Sequence, residues 1–423
     1  MENQDRLSVP AIFTDRRFWA FFGTGLIVSV AYMDPGNWGT SISAGASHEY
    51  ALIWAIWFSS GAAMLFQYIS GKMGIAGHTI GDLVRQRWKD RRLVAAYWLL
   101  AEIAILATDL AEFLGIVVAL HLLFGVPYMI GAVLAIADVL LLLFLANRRF
   151  RLLEYAFILF VGVIGFGYVY ELFITKPSAS AIASASLNPL LTPETALLVV
   201  GIIGATVMPH ALFVHSWLMK NKVLSESSRG IGKRRLLQFH TVEIVVALLI
   251  ASFVNAAILI MAAAAFYANG IPVATIEEAY RTLTPLFGAL ASLVFAVALL
   301  AAGISSSITG TLAGQSIMET LTDFKLSATM RRIITRVINI IPILVALYLN
   351  IEPLQILVLS QVVLSLMIPL PLLPLIYYAS KKEVMGEFVN RKLTTAAAAV
   401  LALIIIAFNL YLLGVTFLPG AAG

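Results

Sequence analysis

The amino-acid sequence predicts an all-α, polytopic membrane protein of eleven transmembrane helices, the first and the sixth of them broken. Composition, the spacing of apolar runs and the one-sided placement of basic residues carry that expectation. Hydrophobic residues make up 61% of the 423-residue chain and charged residues 12%, with a mean hydropathy of +0.93. A soluble domain holds about 45–50% apolar and about 25% charged residues. No water-bathed core absorbs that excess, so lipid is the solvent for most of the chain. Soluble enzymes, nucleic-acid binders and disordered chains are thereby excluded. The formal charge of +5 then reads as loop arginines and lysines rather than a nucleic-acid surface. The chain has no cysteine, which removes disulfides and thiolate metal sites.

A helix needs about 20 apolar residues to cross the hydrocarbon core. Runs of that kind fall at 18–47, 51–76, 93–124, 127–146, 152–174, 195–219, 239–267, 286–319, 332–349, 353–379 and 394–418. Residues 1–17 form a polar tail without the apolar core or cleavage site of a signal peptide. With that tail in the cytoplasm, 26 of the 28 basic residues lie on the cytoplasmic side, leaving Lys176 and Arg281 outside. The positive-inside rule asks for this bias, and it predicts an extracytoplasmic C-terminus. The loops are short, so a single domain is expected, and function must lie inside the bundle or at its mouths.

The first run carries Asp34-Pro35-Gly36-Asn37 in its middle. Proline deletes a backbone hydrogen bond and glycine adds freedom, so a continuous helix is not expected there. Open backbone at membrane depth survives only in protein or beside a water-filled cavity. An ionised Asp34 mid-membrane costs at least ~3 kcal/mol unless compensated. The sixth run has its own interruption, Gly204 to His210, around Met208 and Pro209. One proline kink is ordinary packing. Two breaks five spans apart are what two inverted repeats, 18–174 and 195–379, produce, with residues 394–418 as an added helix. Paired broken helices point to a transporter's midplane site.

Carbonyls freed at Ala31 and Ala205, the Asp34 carboxylate, the Asn37 amide oxygen and the Met208 thioether suit one divalent cation that keeps some water. Oxygen alone favours Mg²⁺ or Ca²⁺, and a thioether shifts preference towards transition metals.

Asp34-Pro35-Gly36-Asn37 and Met208-Pro209-His210 resemble the signatures of the natural resistance-associated macrophage protein (Nramp) family. The likeness extends to Thr108–Gly115, Gly201–Thr206, Gly303–Gly314 and Leu359-Ser360-Gln361. It implies a LeuT-like fold, two inverted five-helix repeats plus an eleventh helix, and proton-coupled transport of divalent metals, with manganese import common in the bacterial branch. It implies Asp34, Asn37 and Met208 as side-chain ligands, Ala31 and Ala205 as carbonyl ligands, and Gln361 as a ligand that joins on occlusion. The chain departs from the family pattern at Ser41, Ser43 and Met367, none of them one of these ligands; this bears on the charge of the outer vestibule and on metal preference.

The third run carries Glu102, Asp109 and Glu112 on one helical face. With Arg331 and Arg332 as ion-pair partners they offer a proton route, and the resemblance implies a network from Asp34 through His210, Asp109 and Glu112 to these arginines. A static ion-pair network is the competing reading. His215 reads as a packing histidine, the roles of Asp138 and Glu243 stay open, and Ser305-Ser306-Ser307 reads as a run that bonds across helices.

The expected function is proton-driven import of Mn²⁺, with Fe²⁺ and Cd²⁺ also carried, at the plasma membrane. Metal and protons are cargo; no cofactor, nucleic acid or obligate protein partner is expected. No nucleotide-binding P-loop is present. An amino-acid or amine carrier on the same fold would want an exposed helix N-terminus for a carboxylate. An intramembrane metalloenzyme using His210 and His215 would want a His-x-x-x-His or His-Glu-x-x-His helix, which is missing.

Overall fold

The computed structural model describes residues 9–21, 23–135, 150–227, 231–273, 275–322, 326–349 and 351–417. Two short helices, α1 (Val9–Thr14) and α2 (Arg16–Phe21), precede the first broken pair, α3 (Thr24–Ala31) and α4 (Pro35–His48). There follow α5 (Ile53–Ala76), α6 (Ile80–Arg87), α7 (Arg91–Phe124), α8 (Tyr128–Ala135), α9 (Phe150–Thr175) and α10 (Ala179–Leu187). The second broken pair is α11 (Ala196–Val207) and α12 (Pro209–Ser227). Next come α13 (Lys233–Ala265), α14 (Ile276–Phe287), α15 (Ala289–Leu321) and α16 (Ala328–Tyr348). The chain closes with α17 (Pro353–Met367), α18 (Pro369–Ala379), α19 (Lys382–Met385) and α20 (Lys392–Phe417). No strand occurs among the described residues.

Six spans among the described residues are long and apolar enough to cross a membrane: α7, the α11–α12 pair, α13, α15, the α17–α18 pair and α20. The first pair is divided by the non-helical residues Tyr32–Asp34, which leaves α3 with 8 residues and α4 with 14, each too short to span alone.

Two local readings need correction. The stretch 175–194, expected as a loop, holds α10, which turns 114° from α9 and whose first turn is capped by Ser178 Oγ accepting from Ala181 N at 3.4 Å. An unmarked helix, α14, begins with a reciprocal Thr275–Glu278 capping box and ends before Gly288. Both are too short or too polar to register as membrane runs. The tenth run holds as one span, Pro353–Ala379, with a local interruption at Ile368, where Pro369 has no N–H to donate to the ladder.

Close packing depends on glycines where helices cross. A Cβ at Gly45 on α4 would overlap the Leu259 carbonyl of α13, and one at Gly303 on α15 would lie 2.8 Å from Ile116 of α7. Gly115 of α7 seats the Pro35 ring in the same way. The first break is therefore wedged against α7 while α13 crosses α4. Glu243 of α13 is buried and accepts from Gly23 N at 2.6 Å and Gly25 N at 2.9 Å, which caps α3 with a carboxylate. The role left open for Glu243 is thus an anchoring one. Asp138 lies outside the described residues.

Ser305 and Ser306 bond to the Ala302 carbonyl of their own helix, at 3.2 and 2.8 Å, not across helices. A cross-helix bond falls one turn on, where Thr309 Oγ1 donates to Ile27 O at 3.1 Å. A serine hydroxyl within a helix reaches the carbonyl a turn back more easily than a neighbouring helix.

Candidate functional site

Two prolines decide where the backbone opens. In an α-helix the N–H of residue i+4 bonds to the carbonyl of residue i. Pro35 stands four residues after Ala31 and Pro209 four after Ala205, so these two carbonyls lose their helical donors. α3 instead closes in tight turns, Met33 N to Val30 O at 3.1 Å and Asp34 N to Ala31 O at 3.3 Å. Ala205 O accepts from Asn37 Nδ2 of the other broken pair at 2.9 Å. A carbonyl has two lone pairs, so both retain acceptor capacity.

Asp34 is the N-cap of α4 and is 2% exposed. Its Oδ1 accepts from Asn37 N at 2.9 Å and Asn37 Nδ2 at 2.6 Å, and its Oδ2 from Gly36 N at 3.2 Å. The N-terminal dipole of α4 adds to this support for negative charge. At the facing break, Met208 ends α11 with φ 47°, a left-handed conformation rare for a side-chain-bearing residue, and is buried. Pro209 bars it from ordinary helical geometry.

Gln361 of α17 joins the breaks. Its side-chain amide lies where a Cβ on Gly36 would stand, and its backbone carbonyl lies where a Cβ on Gly204 would stand. Its Nε2 donates to Ser360 Oγ at 3.0 Å. The structure thus brings together Ala31, Asp34, Asn37, Ala205 and Gln361, with Met208 in the same buried cluster as Ala31.

One detail differs from expectation. The Asn37 amide turns its nitrogen, not its oxygen, towards Asp34 and Ala205, while Oδ1 accepts from Asn255 Nδ2 at 3.1 Å. Carboxylate and carbonyl are both acceptors and attract the NH₂ end; a cation between them reverses that preference.

His210 Nδ1 pairs with Thr108 Oγ1 at 3.0 Å rather than with a carboxylate. Asp109 and Glu112 are buried and converge on Gly310 of α15, where a Cβ would stand 2.8–3.0 Å from their oxygens. One turn further, Gly314 makes room for the Arg331 guanidinium, and Arg331 Nη2 pairs with Glu102 Oε2 at 2.5 Å. Glu102 also accepts from Trp98 Nε1 at 2.9 Å. Nothing is described of the Arg332 side chain.

Several site neighbours escaped the sequence reading. Asn255 holds the Tyr32 carbonyl at 2.8 Å as well as Asn37. Gln67 donates to Tyr32 Oη at 2.9 Å and meets His215 Nδ1 at 2.7 Å, which makes His215 part of a network. His240 sits against His215, ring centroids 4.9 Å apart. Their only sequence signal was a polar residue inside an apolar run.

A helical bundle in which two broken helices meet over one buried carboxylate defines a multi-pass membrane transporter with a LeuT-like fold. Residues 25–414 match the family model described as natural resistance-associated macrophage protein-like. The chain belongs to the Nramp family. It is 43% identical to the divalent metal cation transporter MntH of Verminephrobacter eiseniae over 99% of this chain and 96% of that protein. It is 41% identical to the protein of the same name from Deinococcus radiodurans, over 94% and 90%. Among solved structures, the manganese transporter of Eremococcus coleocola, in complex with an aromatic bis-isothiourea substituted compound, superposes with a TM-score of 0.83 at 33% identity, over 94% of this chain and 87% of that one. Mhp1, a nucleobase-cation-symport-1 family transporter in a closed conformation, shares the fold at 15% identity, with a TM-score of 0.61 over 93% and 88% of the chains. Family membership makes the chain a transporter and not an enzyme, with no resident cofactor.

Proposed function

We propose that this protein imports divalent transition-metal ions, Mn²⁺ foremost and Fe²⁺ and Cd²⁺ as well, coupled to inward proton flow. The observation that carries the reading is a single buried carboxylate, Asp34, set between two carbonyls that prolines deprive of their helical donors. One charge, a few neutral oxygens and a thioether make a weak, exchangeable site, which suits transport rather than storage. The relatives named as divalent metal cation and manganese transporters support it. In this reading Asp34, Asn37, Met208 and the carbonyls of Ala31 and Ala205 bind the ion, and Gln361 completes the shell on occlusion. The repeats 18–174 and 195–379 rock about that site, within eleven spans with the N-terminus in the cytoplasm. Moving two charges inward gains ~4.6 kcal/mol per 100 mV.

Protons leave by Asp34, His210, Asp109 and Glu112 towards Glu102, Arg331 and Arg332. The convergence of Asp109 and Glu112 above the Arg331–Glu102 pair supports that route. Mn²⁺ uptake into proteoliposomes, with Mg²⁺ and Ca²⁺ competing and internal pH recorded, tests the whole reading: metal entering with acidification supports it, and no Mn²⁺ uptake ends it.

Neutralising the proton route is expected to separate coupling from binding. Glu112→Gln should flatten the rise of uptake at acidic external pH and leave Mn²⁺ affinity within a few fold, since its carboxylate lies at the α7–α15 contact beside Gly310. Complete loss of metal binding would make Glu112 a ligand instead.

Met208→Ala is expected to change selectivity more than rate. The thioether offers Mg²⁺ and Ca²⁺ little and displaces an oxygen they want. The variant should keep Mn²⁺ transport at mildly reduced affinity, lose more affinity for Cd²⁺ and become inhibited by Ca²⁺ or Mg²⁺. An equal loss for all four ions in competition assays would show that Met208 shapes the pocket without selecting.

A further inference from the structure

We propose that the groove between the start of α7 and α18 is a binding site for one anionic phospholipid. The inference rests on the membrane-spanning reading of the chain but on no step of transport. The groove has a volume of about 490 Å³ and is walled by Trp88, Tyr97, Leu370, Leu373, Pro374 and Tyr377. It is built rather than incidental: Trp88 packs edge-on to Tyr97 at 5.3 Å, and Tyr97 Oη donates to Leu370 O at 3.0 Å. Its outer lip faces the bilayer, since Leu373 is 53% and Tyr377 56% exposed, and Leu93 and Leu99 of α7 are exposed nearby in sequence. An acyl chain matches such a wall, and water does not.

The rim selects the headgroup. Lys381 Nζ lies 4.8 Å from the centre of the Tyr377 ring, and Arg87 lies within electrostatic reach of Tyr378 at the groove's end. Lys89, Arg91 and Arg92 follow at the exposed entrance to α7. The carboxylate in that turn, Asp90, is committed to capping α7 through Arg92 N at 2.8 Å. Among the described ion pairs none engages Arg87, Lys89 or Lys381. An apolar slot ending under unpaired cations at a membrane boundary is complementary to a lipid with an acyl tail and an anionic phosphate head, in the way basic residues beside spans attract anionic lipid.

Native mass spectrometry of the full-length protein, equilibrated with equal amounts of phosphatidylglycerol and phosphatidylethanolamine, tests this without any transport measurement. The wild type should retain phosphatidylglycerol preferentially. Arg87→Gln, Lys89→Gln and Lys381→Gln combined should lower that preference at least ~10-fold, because each basic residue near the surface contributes about fivefold. Leu373→Trp should fill the groove and reduce both lipids. Arg234→Gln, a basic residue already paired with Glu387, should leave the preference intact. Equal retention of the two lipids by the wild type, an unchanged preference in the triple variant, or an equal loss in Arg234→Gln would each overturn the proposal.

Discussion

Asp34→Asn is expected to reduce Mn²⁺ uptake by more than ~100-fold while the protein still assembles. The carboxylate accepts three hydrogen bonds from Gly36 and Asn37, and among the described residues it is the anion that stands at the two breaks. Hydrogen bonds to a charged group contribute about 1.5–3 kcal/mol each, so losing the equivalent of one or two such interactions with a cation reaches that factor. An amide in its place also turns an NH₂ towards the Asn37 donors or towards the ion, and either is repulsive. The α4 cap survives, because asparagine caps helices as well as aspartate. Uptake in proteoliposomes beside melting temperature in detergent separates the two effects. Near wild-type uptake in the Asn variant would mean that the ion binds elsewhere.

Gly204→Ala is expected to be worse than any ligand change for the assembled protein. Its Cβ would overlap the Gln361 carbonyl oxygen and lie 2.7 Å from Ser365 N, both backbone atoms of α17. Neither can rotate away, so α11 and α17 must part. Overpacking commonly costs about 1–3 kcal/mol and occasionally more. Here the displaced element also carries Gln361 and the Ser365–Asn409 bonds of 2.7 and 2.8 Å that fasten α20. Gly36→Ala is the informative contrast. Its Cβ meets side chains, the Gln361 amide and Asp34 Oδ2 at 2.8 Å. That variant should fold with a nearly unchanged melting temperature yet transport poorly, because Gln361 is pushed off the site. Equal melting temperatures for Gly204→Ala and the wild type would refute the packing argument.

Much of the candidate site's geometry could be read from the sequence because its chemistry is local. Pro35 and Pro209 act on carbonyls four residues earlier in their own segments, so Ala31 and Ala205 follow from covalent geometry. Asp34, Gly36 and Asn37 stand within one turn, and their mutual hydrogen bonds need no other element. Asn255 and Gln67 could not be read in this way. They matter because α13 and α5 cross the first break at a particular depth, and crossing depth is set by glycines such as Gly45 meeting Leu259. The same holds for Arg331: its pairing with Glu102 depends on room left by Gly314.

Composition and basic-residue placement determined by themselves that this chain belongs in a bilayer, because apolar excess and loop charge are sums over residues. Proline chemistry determined where two helices open and which carbonyls they release. Only the tertiary structure decided which end of the Asn37 amide faces Asp34, that His210 meets Thr108, and that Gln361 bridges Gly36 and Gly204. Those outcomes turn on contacts between segments more than 100 residues apart in the chain, or on hydrogen-bond competition within them. An apolar run specifies that a helix is buried; which of its faces meets which neighbour is settled by close packing of the assembled bundle.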